Sequence, residues 1–254
     1  MNNIKTLLTL KNIKKIYRTR EGEIKAIDSV SFDIHSQEFV SIVGPSGCGK
    51  TTVLKIIAGL IPKSGGELFV DEDQFNASRE VGFVFQESLL LPWRKVIDNV
   101  LLPIEILKMD RILYKERAMK LLELVGLKRF EKSYPNELSG GMQQRVSIAR
   151  ALIHDPKLIL MDEPFGALDA ITRERMNLEL LRIWTESKKT VLFVTHGINE
   201  AIFLSDRVIV LSTRPSKVIA TVDIDLPRPR NLEVRTSLKF GKYAFQIYKY
   251  LGIK

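Results

Sequence analysis

The eight residues Gly44-Pro45-Ser46-Gly47-Cys48-Gly49-Lys50-Thr51 constrain this chain more than any other feature. They follow a mostly apolar run at 39–43 and precede a helix-like stretch at 50–58, so the pattern G-x-x-x-x-G-K-[ST] stands between a predicted strand and a predicted helix. A glycine-rich loop in that position wraps its backbone N–H groups, and the N-terminus of the helix behind it, around one anion. Lys50 adds a compact positive charge for β- and γ-phosphates, the Thr51 hydroxyl is placed for Mg2+, and Thr52 adds a hydroxyl to the cradle. The implied ligand is a nucleoside triphosphate with Mg2+. Cys48 contributes its backbone N–H; a catalytic thiol is the poorer reading, because no histidine neighbours it in sequence.

Two further apolar runs, 158–161 and 191–194, end in Asp162-Glu163 and Thr195-His196, and helix-like sequence follows each. Buried parallel strands with functional groups at their carboxyl ends are the pattern of an open α/β sheet. Val30, Phe32 and Ile34 alternate with polar residues and predict a half-buried strand near the start. Between the halves the composition turns helical: Tyr114, Ala118, Leu121, Leu122 and Val125 share one face, and Gly126 is placed to end that helix. A second helix is expected to open near Ser139, continuing through Met142, Val146, Ala149 and Ile153. The prolines of Pro227-Arg228-Pro229-Arg230 predict a late boundary.

A length of 254 residues with 45% hydrophobic content suits one large α/β domain or two small ones and excludes a disordered chain. No run approaches the roughly eighteen apolar residues of a membrane span, and residues 1–10 carry no secretory signal pattern. The one cysteine, Cys48, permits no internal disulfide, which suits a reducing cytoplasm. A net charge of +9 would attract nucleic acid, anionic lipid or nucleotides alike. Its clusters, Lys11 to Arg20 and Arg228 to Lys249, each read by themselves as solvated basic faces.

Adjacent acids on a strand alternate in direction and so can serve different tasks. Asp162 suits the Mg2+ side, through water. Glu163 would face the γ-phosphate and polarise the attacking water as general base. Two acids before Pro164 could instead be a helix cap; beside the phosphate loop the functional reading is the better one.

Leu138-Ser139-Gly140-Gly141-Met142-Gln143-Gln144-Arg145 resembles the LSGGQ-type signature of ABC ATPases, at the interval before Asp162 usual in that family. Serine with two glycines opening a helix again offers N–H groups and a positive dipole end to an anion. The resemblance covers residues 8–226. It implies a P-loop α/β core with an N-terminal antiparallel β subdomain and a helical subdomain inserted at about 87–157. The ATPase domain would fill residues 1–230, and a basic tail 231–254. It also implies two ATP molecules sandwiched in a homodimer, with Ser139, Gly140 and Gly141 of one copy closing over the P-loop of the other. By the same resemblance Gln86 reaches Mg2+ and the attacking water, His196 contacts the γ-phosphate, Asp169 links the two sites across the dimer, and Tyr17 stacks on adenine. Gly197 departs from the pattern, since many members carry aspartate there; the segment 71–79 is also short, as if a loop were trimmed.

Three finer likenesses point to importers of the nitrate, sulfonate and taurine group: Leu89-Leu90-Leu91-Pro92-Trp93, Asp98-Asn99-Val100, and Leu226-Pro227-Arg228-Pro229-Arg230. In that group the subunit sits peripherally on the cytoplasmic face of the membrane, beneath polytopic permease subunits, and an extracytoplasmic solute-binding protein delivers the solute. The segment after Gln86 would there form a groove for a permease helix. The competing readings are a soluble ABC ATPase acting on nucleic acid or ribosomes, and the separate-chain ATPase of an exporter. The first usually brings two ATPase units in one chain or a long coiled coil, and neither is visible, so no nucleic-acid partner is expected. The tail, with Val234, Leu238, Phe245, Tyr248 and Leu251 among basic residues, is either an amphipathic helix touching membrane or permease, or a helix docked on its own domain.

Overall fold

Val30, Phe32 and Ile34 do alternate inward, and they lie on the second of two long strands, β1 (Thr6–Thr19) and β2 (Gly22–His35). The computed structural model describes residues 5–20, 22–70 and 77–253; most of the short segment 71–79 therefore lies outside the described residues. The chain continues through β3 (Phe39–Val43), α1 (Lys50–Ile57), β4 (Gly65–Val70), α2 (Ala77–Glu80) and β5 (Val81–Val84). Then come α3 (Val96–Val100), α4 (Leu102–Ile106), α5 (Arg111–Leu124), α6 (Gly140–Leu152), β6 (Leu158–Asp162) and α7 (Ala170–Ser187). The last elements are β7 (Thr190–Val194), α8 (Ile198–Leu204), β8 (Arg207–Leu211), β9 (Ser216–Asp223) and α9 (Leu238–Tyr250). The chain forms two compact units, one of residues up to 77 and from 190 onward, the other of residues 78–189.

In the first unit the strand order is β4-β1-β2-β9-β8-β3-β7. β1 runs antiparallel to both β2 and β4, with Leu10 opposite Phe32 on one side and Leu68 on the other. β3 is parallel to β7 and β8, and all five residues of β3 and of β7 are buried, which accounts for their mostly apolar sequence. Their carboxyl ends carry the phosphate loop and the Thr195-His196 pair, so both groups emerge at one edge of a parallel pair.

The second unit pairs β5 with β6 in parallel, Val84 opposite Met161, and carries α3 to α7. The α5 face predicted from spacing is the buried one at Ala118, Leu121 and Leu122, and Gly126 follows the helix at φ +70°. The Ser139 side chain accepts a hydrogen bond from the Met142 N–H at 3.4 Å, so α6 is capped where the sequence suggested.

The tail does form a helix, and one of its apolar stripes is buried. Phe240 and Ile247 pack inward against α8 and β9, while Leu238 is 87% and Phe245 73% exposed. Leu238 and Phe245 are seven residues apart and share a helix face, as do Phe240 and Ile247; α9 buries the second stripe, which the sequence reading did not name. Among the described residues, no helix is long and apolar enough to cross a membrane.

Candidate nucleotide site

The loop after β3 is shaped by conformations that side chains resist. Gly47 and Gly49 have φ of +69° and +109°, and a Cβ on Gly44 would stand 3.0 Å from both Cys48 Sγ and the Leu211 carbonyl. The Cys48 side chain is buried. Lys50 opens α1 and is itself buried. Its Nζ donates to the Gly44 carbonyl at 2.9 Å and the Pro45 carbonyl at 3.0 Å, and lies 3.4 Å from His196 Nδ1. An imidazole that sequence alone would have left as structural thus meets the P-loop ammonium.

Tyr17, near the end of β1, is 37% exposed and shares a 3.4 Å hydrogen bond between its hydroxyl and that of Thr52. Lys15 Nζ stands 4.9 Å from the Tyr17 ring centroid, a cation on an aromatic face. The first unit therefore gathers Tyr17, the loop from Gly44 to Thr52, with Pro45, Ser46 and Thr51 between, and His196.

The second unit holds the remaining predicted residues. Asp162 ends β6 and is buried. Glu163 parts from it by more than strand alternation, because its backbone turns into the left-handed region at φ +46°. A glutamate held there costs about 1–2 kcal/mol. The Gly166 N–H donates to the Glu163 carbonyl at 3.0 Å, and a Cβ on Gly166 would stand 3.3 Å from Gln86 Nε2, so Gln86 and the acid turn are neighbours. Asp169 is the N-cap of α7 and accepts from the Thr172 N–H at 3.0 Å. Hydrogen bonds from Thr172, side chain first, hold its carboxyl below the usual range.

A cleft of about 490 Å3 is lined by Gln86, Gly140, Gln143, Gln144, Pro164 and Leu168, among others. The signature helix grips the Gln86 segment directly. Gln144 Nε2 donates to the Phe85 carbonyl at 3.0 Å, Ser88 Oγ donates to Gln143 Oε1 at 3.1 Å, and Arg150 donates to the Ser88 and Leu89 carbonyls at 2.7 and 2.8 Å. Arg173 laces the acid turn by donating to the carbonyls of Phe165, Gly166 and Leu168. Sequence reasoning assigned no role to Gln144, Arg150 or Arg173. The only prior signal was their spacing on helices that start at the signature and at Asp169.

The Thr51 hydroxyl in the first unit, and the Gln86 amide oxygen and Asp162 carboxylate in the second, are hard oxygens of the kind that suits Mg2+. Among the described residues, no cluster of three His, Cys, Asp or Glu side chains could hold a metal.

Comparison with known proteins gives the family. Residues 27–166 match the family described as ABC transporter. An aliphatic sulfonates import ATP-binding protein of Bacillus cereus is 40% identical over 247 residues, 97% of each chain. A taurine import ATP-binding protein of Rhizobium johnstonii is 47% identical over 226 residues, 87% of this chain and 86% of that one. The dimeric structure of a bacterial ABC transporter cassette superposes with a TM-score of 0.74 at 38% identity, covering 87% of this chain and 100% of that one. A dimeric post-hydrolysis cassette bound to ADP and Pi gives 0.71 at 37%, with the same coverage. With its P-loop, signature helix and acid turn in place, this chain belongs to the ABC transporter family and has the fold of that family's ATP-binding cassettes.

Proposed function

We propose that this chain is the ATP-hydrolysing subunit of an ABC importer, working as a homodimer under a separate permease and serving a small sulfonate, taurine, nitrate or similar solute. The observation that carries the ATPase reading is the approach of Lys50 Nζ to His196 Nδ1 at the carboxyl ends of the neighbouring strands β3 and β7. Lys50 would exchange its hold on the Gly44 and Pro45 carbonyls for β- and γ-phosphate oxygens, and His196 would meet the γ-phosphate from the other side. Tyr17 is offered to the adenine.

Thr51, Gln86 and Asp162 are the residues suited to Mg2+, which when bound would draw charge from the phosphate oxygens. Glu163 orients a water for in-line attack on the γ-phosphorus and takes one of its protons; ADP leaves as the P–O bond to it breaks. Ser139 and Gly140 are exposed at a positively polarised helix end, with Gly141 buried just behind them, which supports the use of this turn on the ATP of a second copy. Asp169 would then stand at the junction of the two sites. Loss of the γ-phosphate removes the contacts that hold the dimer closed.

The names of the two import relatives support the solute class. A groove of about 310 Å3, lined by Val81, Phe83, Leu89, Leu102, Pro103 and Ile106 with Arg150 and His154 among its other residues, supports a permease helix as the docking partner. The deciding experiment is reconstitution of the chain in vesicles with its permease and solute-binding protein, followed by ATP-driven uptake of labelled taurine, alkanesulfonate and nitrate. Uptake of one of these, abolished by Glu163→Gln, is expected. Capture of nucleic acid in place of any membrane partner would overturn the importer reading.

A further inference from the structure

His196 sits where β7 passes into α8, and Thr195, Gly197 and Glu200 around it are joined by hydrogen bonds. Thr195 is 4% and Glu200 8% exposed. The Thr195 hydroxyl accepts from the Gly197 N–H at 2.9 Å and donates to Glu200 Oε2. One hydroxyl thereby ties the residue after the histidine to the first turn of α8, where a carboxylate is favoured by the helix dipole. Gly197 has little room for a side chain. A Cβ there would stand 3.2 Å from Glu200 Cβ and 3.5 Å from both Glu200 Oε2 and Thr195 Oγ1. A side chain at this position would crowd Glu200.

The far end of α8 is fixed as well. Arg230 donates to the carbonyls of Ile202, Phe203 and Ser205 at 3.0, 3.0 and 2.8 Å, and Arg228 to that of Leu204 at 2.8 Å. A glycine beside a catalytic side chain leaves the backbone free to wander unless something holds it. Here the restraint is the Thr195 hydroxyl and the Glu200 carboxylate, set on a helix gripped at its other end.

We propose that Thr195 and Glu200 are positioning residues for His196: they hold the backbone of 195–197 so that the imidazole faces Lys50 and the transferred phosphate. Neither touches nucleotide. The proposal rests on the ATPase reading and adds to it the device that replaces a side chain at position 197.

The test uses the full-length chain and steady-state ATP hydrolysis, with thermal unfolding as a check on folding. Thr195→Val keeps the shape and removes the hydroxyl. It should lower kcat about 10- to 100-fold, the scale of losses from misplacing a reacting group, with KM changed less than about threefold. Thr195→Ser should restore kcat to within about threefold of wild type. Glu200→Gln, which keeps an acceptor for the hydroxyl, should fall between the two, and serves if the valine variant does not fold. In a His196→Ala background the Thr195→Val loss should vanish, because a residue that acts through the histidine has nothing left to position. Wild-type turnover by folded Thr195→Val, or a loss that adds in full to that of His196→Ala, would overturn the proposal. A wild-type chain that hydrolyses no ATP would instead overturn the parent reading, and this one with it.

Discussion

Lys50 Nζ lies 3.4 Å from His196 Nδ1, although 146 residues separate them in sequence. The pairing predicts different losses at its two ends. Lys50→Ala should weaken ATP binding, since it removes the charge at the β- and γ-phosphates, while the fold survives. His196→Ala should keep binding and lose about 100-fold or more in turnover. Equilibrium binding of a labelled nucleotide beside phosphate release separates the two; equal loss of affinity in both variants would break the assignment.

Glu163 carries strain and function at one position. Glu163→Gln should lower turnover by about 100- to 10,000-fold while ATP still binds and a closed dimer accumulates on gel filtration. Glu163→Gly should be equally inactive yet more stable by roughly 0.5–1 kcal/mol, because glycine accepts φ +46° without the steric cost. Urea unfolding of the two variants checks this pair; near-normal hydrolysis by the glutamine variant would remove Glu163 as the base.

Burial, with the charge of Arg228 nearby, pushes the Arg230 guanidinium down to about 10, so it stays charged at neutral pH while donating to carbonyls at the end of α8. Arg230→Met should fill much of the space and leave those carbonyls unpaired, costing about 2–3 kcal/mol. A loss of less than about 0.5 kcal/mol in the unfolding free energy read from urea titration would show that water takes over the role.

His154 supplies the pH dependence. Burial pushes its imidazole below the ordinary value of 6.5, an effect only partly offset by its hydrogen bond to the Val81 carbonyl, 3.2 Å away, and by Glu80 and Asp155; Arg117 adds to the lowering. The unfolded chain therefore takes up the proton first as pH falls. The stability tied to neutral His154 is complete above pH 6.5 and is lost as pH drops towards the folded-state value. His154→Gln should flatten the dependence of unfolding free energy on pH between 7.5 and 5.5. An unchanged slope in the variant would assign that dependence to other groups.

In the tail, Phe240→Ala should cost about 3 kcal/mol, whereas Phe245→Ala should stay within about 0.5 kcal/mol, since only the first ring is buried. Thermal unfolding of the two alanine variants reads this directly. Equal destabilisation would mean that the exposed face of α9 is covered in solution.

The site was legible where its chemistry is local. Gly44 to Thr51 reads as a phosphate loop because a strand, two left-handed glycines and a helix start are all written within a dozen residues, and Ser139 reads as a cap for the same reason. Glu163 was legible as an acid but not as a turn: strand alternation alone separates it from Asp162, and nothing in Asp-Glu-Pro announces a left-handed backbone. His196 as a partner of Lys50 needed the parallel pairing of β3 with β7, which no window of sequence contains. Helices α3 and α4, at five residues each, are too short to show a 3.6-residue period. Strand β9 alternates clearly, yet its neighbours, β2 in parallel and β8 antiparallel, are set by topology. In α9 the pattern allowed either stripe inward, and packing against α8 chose Phe240 and Ile247.

The signature helix α6 is a rod with a use at each end. Its first turn, from Ser139, offers N–H groups to an anion, and eleven residues further on Arg150 clasps the carbonyls of Ser88 and Leu89 beside the apolar groove. The span between them is roughly 16 Å at the rise of an α-helix. Over that arm a tilt of about 10° shifts the far end by about 3 Å, the length of a hydrogen bond. If a partner seated in the groove tilted α6 by that much, an anion contact at Ser139 would be made or lost by leverage alone.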